Sequence, residues 1–258
     1  MIVIGERING QFPRVAKAID DGDGKFIQEL ALQQTNAGAH VLDVNTGPGR
    51  DDAPVAMAWL VKTIQDAVQV RLSIDSPSLK VQRAGLAECK LEPVINSTTA
   101  EQKRMEVFFP LAREYGAEIV CLTINEKGIP NTVEARAEVA MVLLANAMDA
   151  GVKAEKLYLD PVVLPISAAQ DQCPVVCDSI TALRALNTPP PRTLVGLSNV
   201  SSGAEERSLL NRAYLAMLLG RYLDAAILDP NDAELMSIVK ASEVLLNQKL
   251  YARSFLRA

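Results

Sequence analysis

The sequence predicts an α/β fold, a single (β/α)₈ TIM barrel that spans residues 1–258 as one domain. Short apolar runs alternate with helix-like segments along the whole chain, and eight such pairs fit into 258 residues. The apolar runs are nearly continuous, as expected for parallel strands buried on both faces. An open doubly wound sheet is the second choice, but no Gly-x-Gly-x-x-Gly motif follows the first strand.

The strands and helices can be placed from hydrophobic spacing and from turn residues. We expect strands at about 2–5, 40–44, 70–74, 93–96, 118–124, 156–160, 193–198 and 225–228. We expect helices at about 25–36, 78–88, 132–149, 174–186, 208–222 and 232–248, with two more beginning near Pro54 and Thr98. Pro54 suits a first helical turn, and Thr98 with Glu101 has the spacing of a capping box.

Composition excludes several classes of function. A formal charge of -5 leaves no basic surface for nucleic acid, and 4% aromatic residues are too few for a base-stacking platform. No apolar run is long enough for a membrane span, and no signal peptide precedes the first strand. We therefore expect a cytoplasmic protein without nucleic-acid or membrane partners.

Cysteine and histidine usage argues against a bound metal. Cys89, Cys121, Cys173 and Cys177 are expected to be reduced thiols in a cytoplasmic chain. Their spacing does not match an iron–sulfur motif, and His40, the only histidine, cannot complete a common zinc ligand set. His40 starts the second strand, on the far face, where a structural role is expected. We predict no metal ion.

Polar residues stand at the exits of the predicted strands. They are Asp43, Asn45, Asp75, Asn96, Asn125, Asp160, Ser198, Asn199 and Asp229. In a TIM barrel all strands end at one rim, which carries the functional residues. Each residue alone would serve equally well as a helix cap or turn residue. Helix caps alone do not explain why so many strands end in a polar residue. Asp43 and Asp229 are the weakest candidates for the site.

The chemistry of this set favours one kind of ligand. No strand end carries a lysine for a Schiff base, and no serine–histidine pair is available. Magnesium on Asp75 and Asp160 is a remaining alternative, although the neighbouring amides dilute the negative charge. Carboxylates accept hydrogen bonds, and amides both donate and accept them. A flat heterocycle with several N–H donors, such as a pterin, matches this combination.

The motifs at the strand ends carry a specific resemblance. They are Gly5-Glu6-Arg7-Ile8-Asn9, Leu42-Asp43-Val44-Asn45-Thr46-Gly47-Pro48, Ser73-Ile74-Asp75-Ser76, Ile95-Asn96-Ser97-Thr98, Asp160-Pro161 with Leu164-Pro165, and Gly196-Leu197-Ser198-Asn199-Val200-Ser201. Over essentially its whole length, the chain resembles the methyltetrahydrofolate:corrinoid (iron–sulfur) protein methyltransferase family of pterin-binding TIM barrels. It is similar, more distantly, to the folate domain of cobalamin-dependent methionine synthase and to dihydropteroate synthase.

This resemblance implies a homodimer that moves a methyl group between N5 of tetrahydrofolate and the cobalt of a separate corrinoid protein. Methyltetrahydrofolate is then a substrate, and the partner carries the cobalamin. Asp75, Asn96 and Asp160 match the residues that hold the pterin, and Asn199 matches the amide that reaches N5. The residues that match the neighbouring rim are Gly196 and Ser198, and further candidates are Asp43, Asn45 and Arg207.

We expect Asn199 to be the catalytic residue. Its amide cannot act as an acid, but it can donate a hydrogen bond to N5 as electron density builds there. The proton itself would come through water held by the rim carboxylates. The chain lacks the Asp-x-His-x-x-Gly signature of cobalamin modules, so the corrinoid must arrive on another protein.

Two other functions remain open at this stage. A dihydropteroate synthase-like enzyme would need a cationic rim for a pyrophosphate, and only Arg207 is a candidate for that role. A non-catalytic folate-binding subunit would bind methyltetrahydrofolate without transferring its methyl group. The direction of transfer also remains open, since one barrel would serve either acetyl-CoA synthesis in acetogenesis or O-demethylation.

Overall fold

The sheet closes on itself. In the computed structural model, which describes residues 1–252, each strand pairs in parallel with the next, and the eighth pairs with the first. The strands are β1 (Ile2–Asn9), β2 (Val41–Asn45), β3 (Arg71–Asp75), β4 (Val94–Thr99), β5 (Glu118–Leu122), β6 (Leu157–Asp160), β7 (Arg192–Gly196) and β8 (Ala225–Leu228). The predicted (β/α)₈ barrel is confirmed.

Helices surround the barrel. They are α1 (Pro13–Asp21), α2 (Gly24–Asn36), α3 (Ala53–Gln65), α4 (Leu79–Leu86), α5 (Gln102–Tyr115), α6 (Val133–Asp149), α7 (Ile166–Ala169), α8 (Gln172–Arg184), α9 (Arg207–Leu219) and α10 (Ala233–Leu245). Short 3-10 turns occupy Ala154–Lys156 and Leu197–Asn199. None of the helices in residues 1–252 combines the length and hydropathy that a membrane crossing needs.

Local sequence explains where several helices begin. Asp52 precedes α3, whose first turn contains Pro54 as expected. The hydroxyl of Thr132 accepts a hydrogen bond from the backbone N–H of Ala135 at the start of α6. Asp232 caps α10 in the same way, through two backbone N–H groups. These caps satisfy N–H groups that have no partner within the helix.

The structure corrects four details of the prediction. Helices α1 and α7 lie outside the predicted set, and β1 extends to Asn9 rather than to about residue 5. Strand β7 ends at Gly196, so Ser198 and Asn199 lie in the 3-10 turn beyond it. The expected capping box at Thr98 is wrong. Thr98 is fully buried and pairs with Cys121 on β5, which keeps the chain extended until α5 begins at Gln102.

Candidate active site

The barrel interior is built in layers, and its lowest layer is apolar. The side chains of this floor cluster together, one from every strand except β3: Ile4, Val41, Val94, Val120, Tyr158, Leu194 and Ala225. Side chains alternate between the two faces of a strand, so the residue two positions later on each strand also points into the barrel. Those residues form a second layer, one step nearer to the carboxyl ends of the strands.

The second layer is apolar at Leu122 on β5 and Ile227 on β8, but elsewhere it contains several predicted site residues. Asp43, Asn96 and Asp160 follow floor residues by two positions on β2, β4 and β6, and Gly196 does so on β7. Glu6 has the same place on β1. Asp43, Asn96 and Asp160 are 5%, 9% and 7% exposed. Residues that are far apart in the sequence therefore share one largely buried polar layer at the barrel mouth.

Asp43 is the centre of a buried hydrogen-bond network. Its Oδ1 accepts a hydrogen bond from the Ser73 hydroxyl at 2.6 Å and another from the Asn96 Nδ2 at 3.0 Å. Because the Asn96 amide nitrogen donates to Asp43, the Asn96 oxygen is turned elsewhere as an acceptor. Asp43 was one of the two weakest site candidates by sequence, yet in the structure it orients Asn96.

Asp75 lies two positions beyond Ser73 on β3 and is oriented by Asn45. The Asn45 Nδ2 donates to the Asp75 Oδ2 at 2.7 Å, and the Asn45 Oδ1 accepts from the Gly47 N–H at 2.7 Å. Gln82 on α4 fixes the backbone beneath Asp75 and Asn96, since its Nε2, which has two hydrogens to donate, lies 2.7, 2.9 and 3.0 Å from the carbonyl oxygens of Ile74, Ser76 and Asn96. Sequence reasoning missed Gln82, which appears only as an ordinary polar helix residue.

Burial raises the pKa values of these carboxyl groups. The pKa of Asp43 lies well above its usual range because of desolvation and then the charge of Asp75, opposed by hydrogen bonds from Ser73 and Asn96. Desolvation likewise raises the pKa of Asp75, opposed by the Asn45 amide. Within residues 1–252, Asp43, Asp75 and Asp160 form no salt bridge. They are acceptors without a paired protein cation.

Asp160 ends β6 and is fixed by its own loop. Its Oδ1 accepts the Val162 N–H at 2.7 Å. Val162 has a φ of 67°, a left-handed conformation that is rare for a β-branched residue and that costs on the order of 1–3 kcal/mol. Desolvation raises the pKa of Asp160 to about 7, opposed by the Val162 N–H and by the charge of Arg136.

Glu6 and Ser198 form the opposite side of the mouth, near Asn199. The Ser198 hydroxyl donates to the Glu6 Oε1 at 2.7 Å, and desolvation raises the pKa of Glu6 against this hydrogen bond. A Cβ atom on Gly196 would stand 3.0 Å from the Asn199 Nδ2, so the glycine leaves room for that amide. Glu6 is a site residue that the prediction missed, because β1 was expected to end before it.

Two clefts open at this end of the barrel. One has a volume of about 690 Å³, and its lining includes Glu6, Arg7, Ser198 and Arg207. The other, of about 550 Å³, runs past Asn45 and Asp75 and along the loops after β2 and β3. Both volumes fall within the range of about 300–1,000 Å³ typical of small-molecule sites. The predicted candidate Arg207 borders the first cleft, where its Nε donates to the Ser201 hydroxyl at 3.2 Å.

Two polar residues of the predicted rim, Asn125 and Asp229, are held in turns, although Asp229 also lines the first cleft. The Asn125 Oδ1 accepts the Lys127 N–H at 2.9 Å in a turn beyond β5. The Asp229 Oδ1 accepts the Asn231 N–H at 3.0 Å in a turn, and its Oδ2 lies 3.5 Å from the Arg7 Nε. His40 lies at the opposite end of the barrel, where its Nδ1 accepts the Val3 N–H at 3.1 Å.

The four cysteines carry free thiols. No group of three or more His, Cys, Asp or Glu residues in the range 1–252 is arranged to hold a metal ion.

The chain matches the family model described as pterin binding enzyme over residues 16–229. It is 31% identical to the methylcorrinoid:tetrahydrofolate methyltransferase of Eubacterium limosum over 260 residues, which cover 100% of this chain and 96% of that protein. It is also 30% identical to the methionine synthase of Mycobacterium leprae over 239 residues, which cover 88% of this chain and 20% of that much longer protein.

Solved structures share the fold at low sequence identity. The dihydropteroate synthase of Xanthomonas albilineans with 4-aminobenzoic acid superposes with a TM-score of 0.71, at 16% identity, over 97% of this chain and 94% of that one. At this level of identity the likeness concerns the fold alone. The family match covers most of the chain, and the full-length relative agrees with it. This protein therefore belongs to the family of pterin-binding enzymes.

Proposed function

We propose that this protein is a methyltransferase that moves a methyl group between N5 of methyltetrahydrofolate and the cobalt of a corrinoid carried by a separate protein. The observation that carries the proposal is the set of acceptors at the mouth, Asp43, Asp75 and Asp160, which form no salt bridge with any residue in the range 1–252. A pterin presents an amino group and a ring N–H side by side, and such donors match ionised carboxylates. The full-length relative in Eubacterium limosum is named for the same exchange.

In this proposal the pterin is held by Asp75, Asn96 and Asp160. Asp43 and Asn45 act behind them, since Asp43 orients the Asn96 amide and Asn45 orients the Asp75 carboxylate. Gly196 and Ser198 line the side of the pterin that leads to Asn199. The buried setting strengthens each hydrogen bond, because water does not compete for the acceptors.

The reaction is a displacement at the methyl carbon. The nucleophilic Co(I) of the substrate corrinoid forms a bond to this carbon, the N5–carbon bond breaks, and its electron pair stays on N5 with a proton from water. In the reverse direction the N5 lone pair attacks the methyl carbon of the methylated corrinoid, and the cobalt–carbon bond breaks with its electron pair remaining on cobalt as Co(I). N5 then loses its proton to water. Asn199 donates a hydrogen bond that strengthens as charge builds on N5, so it lowers the barrier.

The direction of transfer decides the physiological role. The name of the Eubacterium limosum relative describes a methylated corrinoid and tetrahydrofolate. By analogy with that relative, we propose transfer from a methylated corrinoid protein to tetrahydrofolate, as in O-demethylation. Delivery to a corrinoid iron–sulfur protein in acetogenesis uses the same residues in reverse. Measuring transfer in both directions with each type of corrinoid protein distinguishes the two roles.

A homodimer, a single functional domain over residues 1–258 and a cytoplasmic location remain predictions. We propose helix α9 as the dimer surface, because it buries Tyr214, Leu215 and Leu218 in the core but exposes Leu209 and Met217. Sedimentation velocity of the wild type and of Met217→Lys tests whether this face joins two copies.

Calorimetry with methyltetrahydrofolate, followed by a spectroscopic assay with cob(I)alamin, tests the function. We expect binding, methylation of the cobalt, and an affinity loss of about tenfold or more in Asp75→Asn, since a hydrogen bond to a charged group contributes about 1.5–3 kcal/mol. Binding without methylation would instead indicate a non-catalytic folate-binding subunit. Absence of a binding heat with methyltetrahydrofolate would reject the proposal. Condensation of p-aminobenzoate with a pterin pyrophosphate would also reject it and would favour the dihydropteroate synthase-like alternative.

A further inference from the structure

Strand β4 contains a bulge immediately after Asn96. Asn96 pairs with Val120 on β5, and the next paired residue is Thr98, opposite Cys121, so Ser97 is one extra residue in β4. Paired residues lie on the same face of a sheet. Val120 belongs to the apolar floor inside the barrel, whereas Cys121 belongs to the core between the sheet and the helices. The bulge therefore lets Asn96 face the barrel interior while Thr98 faces the outer core.

This bulge is bound by Arg104, in the first turn of α5. The Arg104 Nη2 donates to the Ser97 carbonyl oxygen at 2.7 Å. Its Nη1 donates to the Pro77 carbonyl oxygen at 3.3 Å, in the loop that follows Asp75. One guanidinium thus binds the backbone just beyond Asn96 and the backbone just beyond Asp75.

The guanidinium of Arg104 is itself held in place. Its Cζ lies 4.6 Å from the centre of the Phe108 ring, one turn further along α5. Its Nε is buried and has no hydrogen-bond partner, and Arg104 forms no salt bridge within residues 1–252. The hydrogen bonds of Arg104 to this part of the chain go to backbone carbonyl groups. Such bonds fix the course of the backbone rather than neutralise a charge.

Asp75 and Asn96 are paired neighbours on β3 and β4. The Ser76 N–H donates to the Asn96 carbonyl oxygen at 2.9 Å. The Gln82 Nε2 lies 2.9 and 3.0 Å from the carbonyl oxygens of Ser76 and Asn96. Gln82 therefore fixes the backbone at the ends of the two strands, and Arg104 fixes it in the segments that follow.

We propose that Arg104 is a positioning residue for pterin binding, which fixes the spacing between the Asp75 carboxylate and the Asn96 amide. This inference rests on the proposed function, in which both side chains hold the pterin. A rigid ring presents its hydrogen-bonding groups at a fixed spacing, so the protein groups that meet them must keep a matching spacing. The planar guanidinium holds its two Nη atoms at a constant separation, and this separation links the Pro77 and Ser97 carbonyl groups. Arg104 acts through the backbone and does not contact the ligand.

Calorimetry with methyltetrahydrofolate on the wild type and on Arg104→Met tests the proposal. Methionine keeps an apolar stem beside Phe108 and removes both bonds to the backbone. We expect affinity to fall about tenfold, because hydrogen bonds from a charged donor are among the stronger ones. An unchanged affinity in Arg104→Met would overturn the proposal.

The rate of methyl transfer gives a second readout, which general damage to the fold would also lower. Asn199 follows β7, across the barrel from β3 and β4. At saturating methyltetrahydrofolate we therefore expect Arg104→Met to transfer within about threefold of the wild-type rate. The matched control is Arg83→Met, because Arg83 is an exposed arginine that pairs with Glu114. This control should leave affinity and rate unchanged, and a loss of affinity equal to that of Arg104→Met would contradict the proposal.

Arg104→Lys addresses the risk that Arg104→Met does not fold. Lysine keeps the positive charge and can still donate, but it does so from one nitrogen and cannot reproduce the guanidinium geometry. We expect an affinity loss of about threefold or more. Wild-type affinity in Arg104→Lys would show that the spacing of the two Nη atoms is not required.

Asn96→Ala separates this inference from the function on which it rests. In the Asn96→Ala background, a further Arg104→Met change should weaken affinity by less than about threefold, because the positioned amide is already absent. A full additional loss would indicate a general structural role and would overturn the inference. If Asn96→Ala weakens binding but Arg104→Met does not, only the inference fails. If Asn96→Ala leaves binding intact, the assignment of the pterin site fails as well.

Discussion

The hydroxyl of Ser198 donates a 2.7 Å hydrogen bond to the carboxylate of Glu6, across a separation of 192 residues. This contact joins the middle of β1 to the 3-10 turn after β7, and the next residue in that turn is Asn199. The position of the proposed catalytic amide therefore depends on the first strand of the chain.

Replacing Glu6 tests this dependence. Glu6→Gln keeps an acceptor for the Ser198 hydroxyl, so we expect a transfer rate within about threefold of the wild type. Glu6→Ala removes the acceptor and is expected to slow transfer about tenfold or more, because a hydrogen bond to a charged group contributes about 1.5–3 kcal/mol. Single-turnover methylation of cob(I)alamin measures both rates. A full rate in Glu6→Ala would show that Ser198 is held by other contacts.

Asn199→Ala separates catalysis from binding. We expect the transfer rate to fall about 10²- to 10³-fold, as for removal of a donor to a developing charge. Affinity for methyltetrahydrofolate should fall less than about tenfold, because the hydrogen bond to N5 strengthens only in the transition state. Stopped-flow rates and calorimetry give the two quantities. Equal losses in rate and affinity would contradict the catalytic role.

Gly196→Ala should disturb the same amide without removing it. The new Cβ would stand 3.0 Å from the Asn199 Nδ2, closer than ordinary van der Waals contact, so the amide must shift. We expect transfer to slow about tenfold, since small misplacements of a catalytic group are costly. Gly24→Ala is the matched control, because its Cβ would make only ordinary van der Waals contacts, with Thr63 at 3.4 Å and Trp59 at 3.9 Å. A normal rate in Gly196→Ala would show that the position of Asn199 is not critical.

Asp160→Asn is expected to stabilise the protein at alkaline pH. The pKa of Asp160 is about 7 in the folded protein and about 3.9 in an unfolded chain. As pH rises from about 4 to 7, the unfolded chain releases this proton first, so the Asp160 contribution to stability falls.

The side-chain amide of the Asp160→Asn variant does not titrate in this range, so the decrease in stability with rising pH is absent. We expect the variant to gain on the order of 2–4 kcal/mol relative to the wild type at pH 8, and much less at pH 4. Urea unfolding at both pH values measures the difference. Equal differences at the two pH values would argue against a raised pKa at Asp160.

Glu118→Gln should destabilise the opposite end of the barrel. Burial raises the pKa of Glu118, but bonds from Arg71 at 2.6 Å, from Arg192 and from Tyr158 at 2.9 Å outweigh burial and lower it. This stabilisation is present above about pH 4.3 and is lost as pH falls through the folded pKa. Both arginines are partly exposed, so we expect a loss of about 2 kcal/mol in urea unfolding at pH 7 rather than the 3–5 kcal/mol of a fully buried pair.

Glu114→Gln is the control, because the Glu114–Arg83 pair is exposed and should change stability little. Loss of stability in both variants alike would indicate that burial of Glu118 is not the cause.

The sequence alone was sufficient to predict the barrel and much of its polar layer. Strand length and side-chain alternation are local properties, so the apolar floor and the polar residue two positions beyond it can be read strand by strand. For this reason Asp43, Asn96 and Asp160 could be identified before their neighbours were known.

Closure of the barrel decided the rest, because it brings together residues that local patterns cannot connect. It gives Asp43 a central role through Ser73 and Asn96, joins Glu6 to Ser198, and buries Arg136 against Gln172. It also overrides local signals, since pairing with Cys121 keeps Thr98 in a strand despite its capping-box spacing. Hydrogen bonds and burial between distant segments depend on the packed structure, and no short stretch of sequence encodes them.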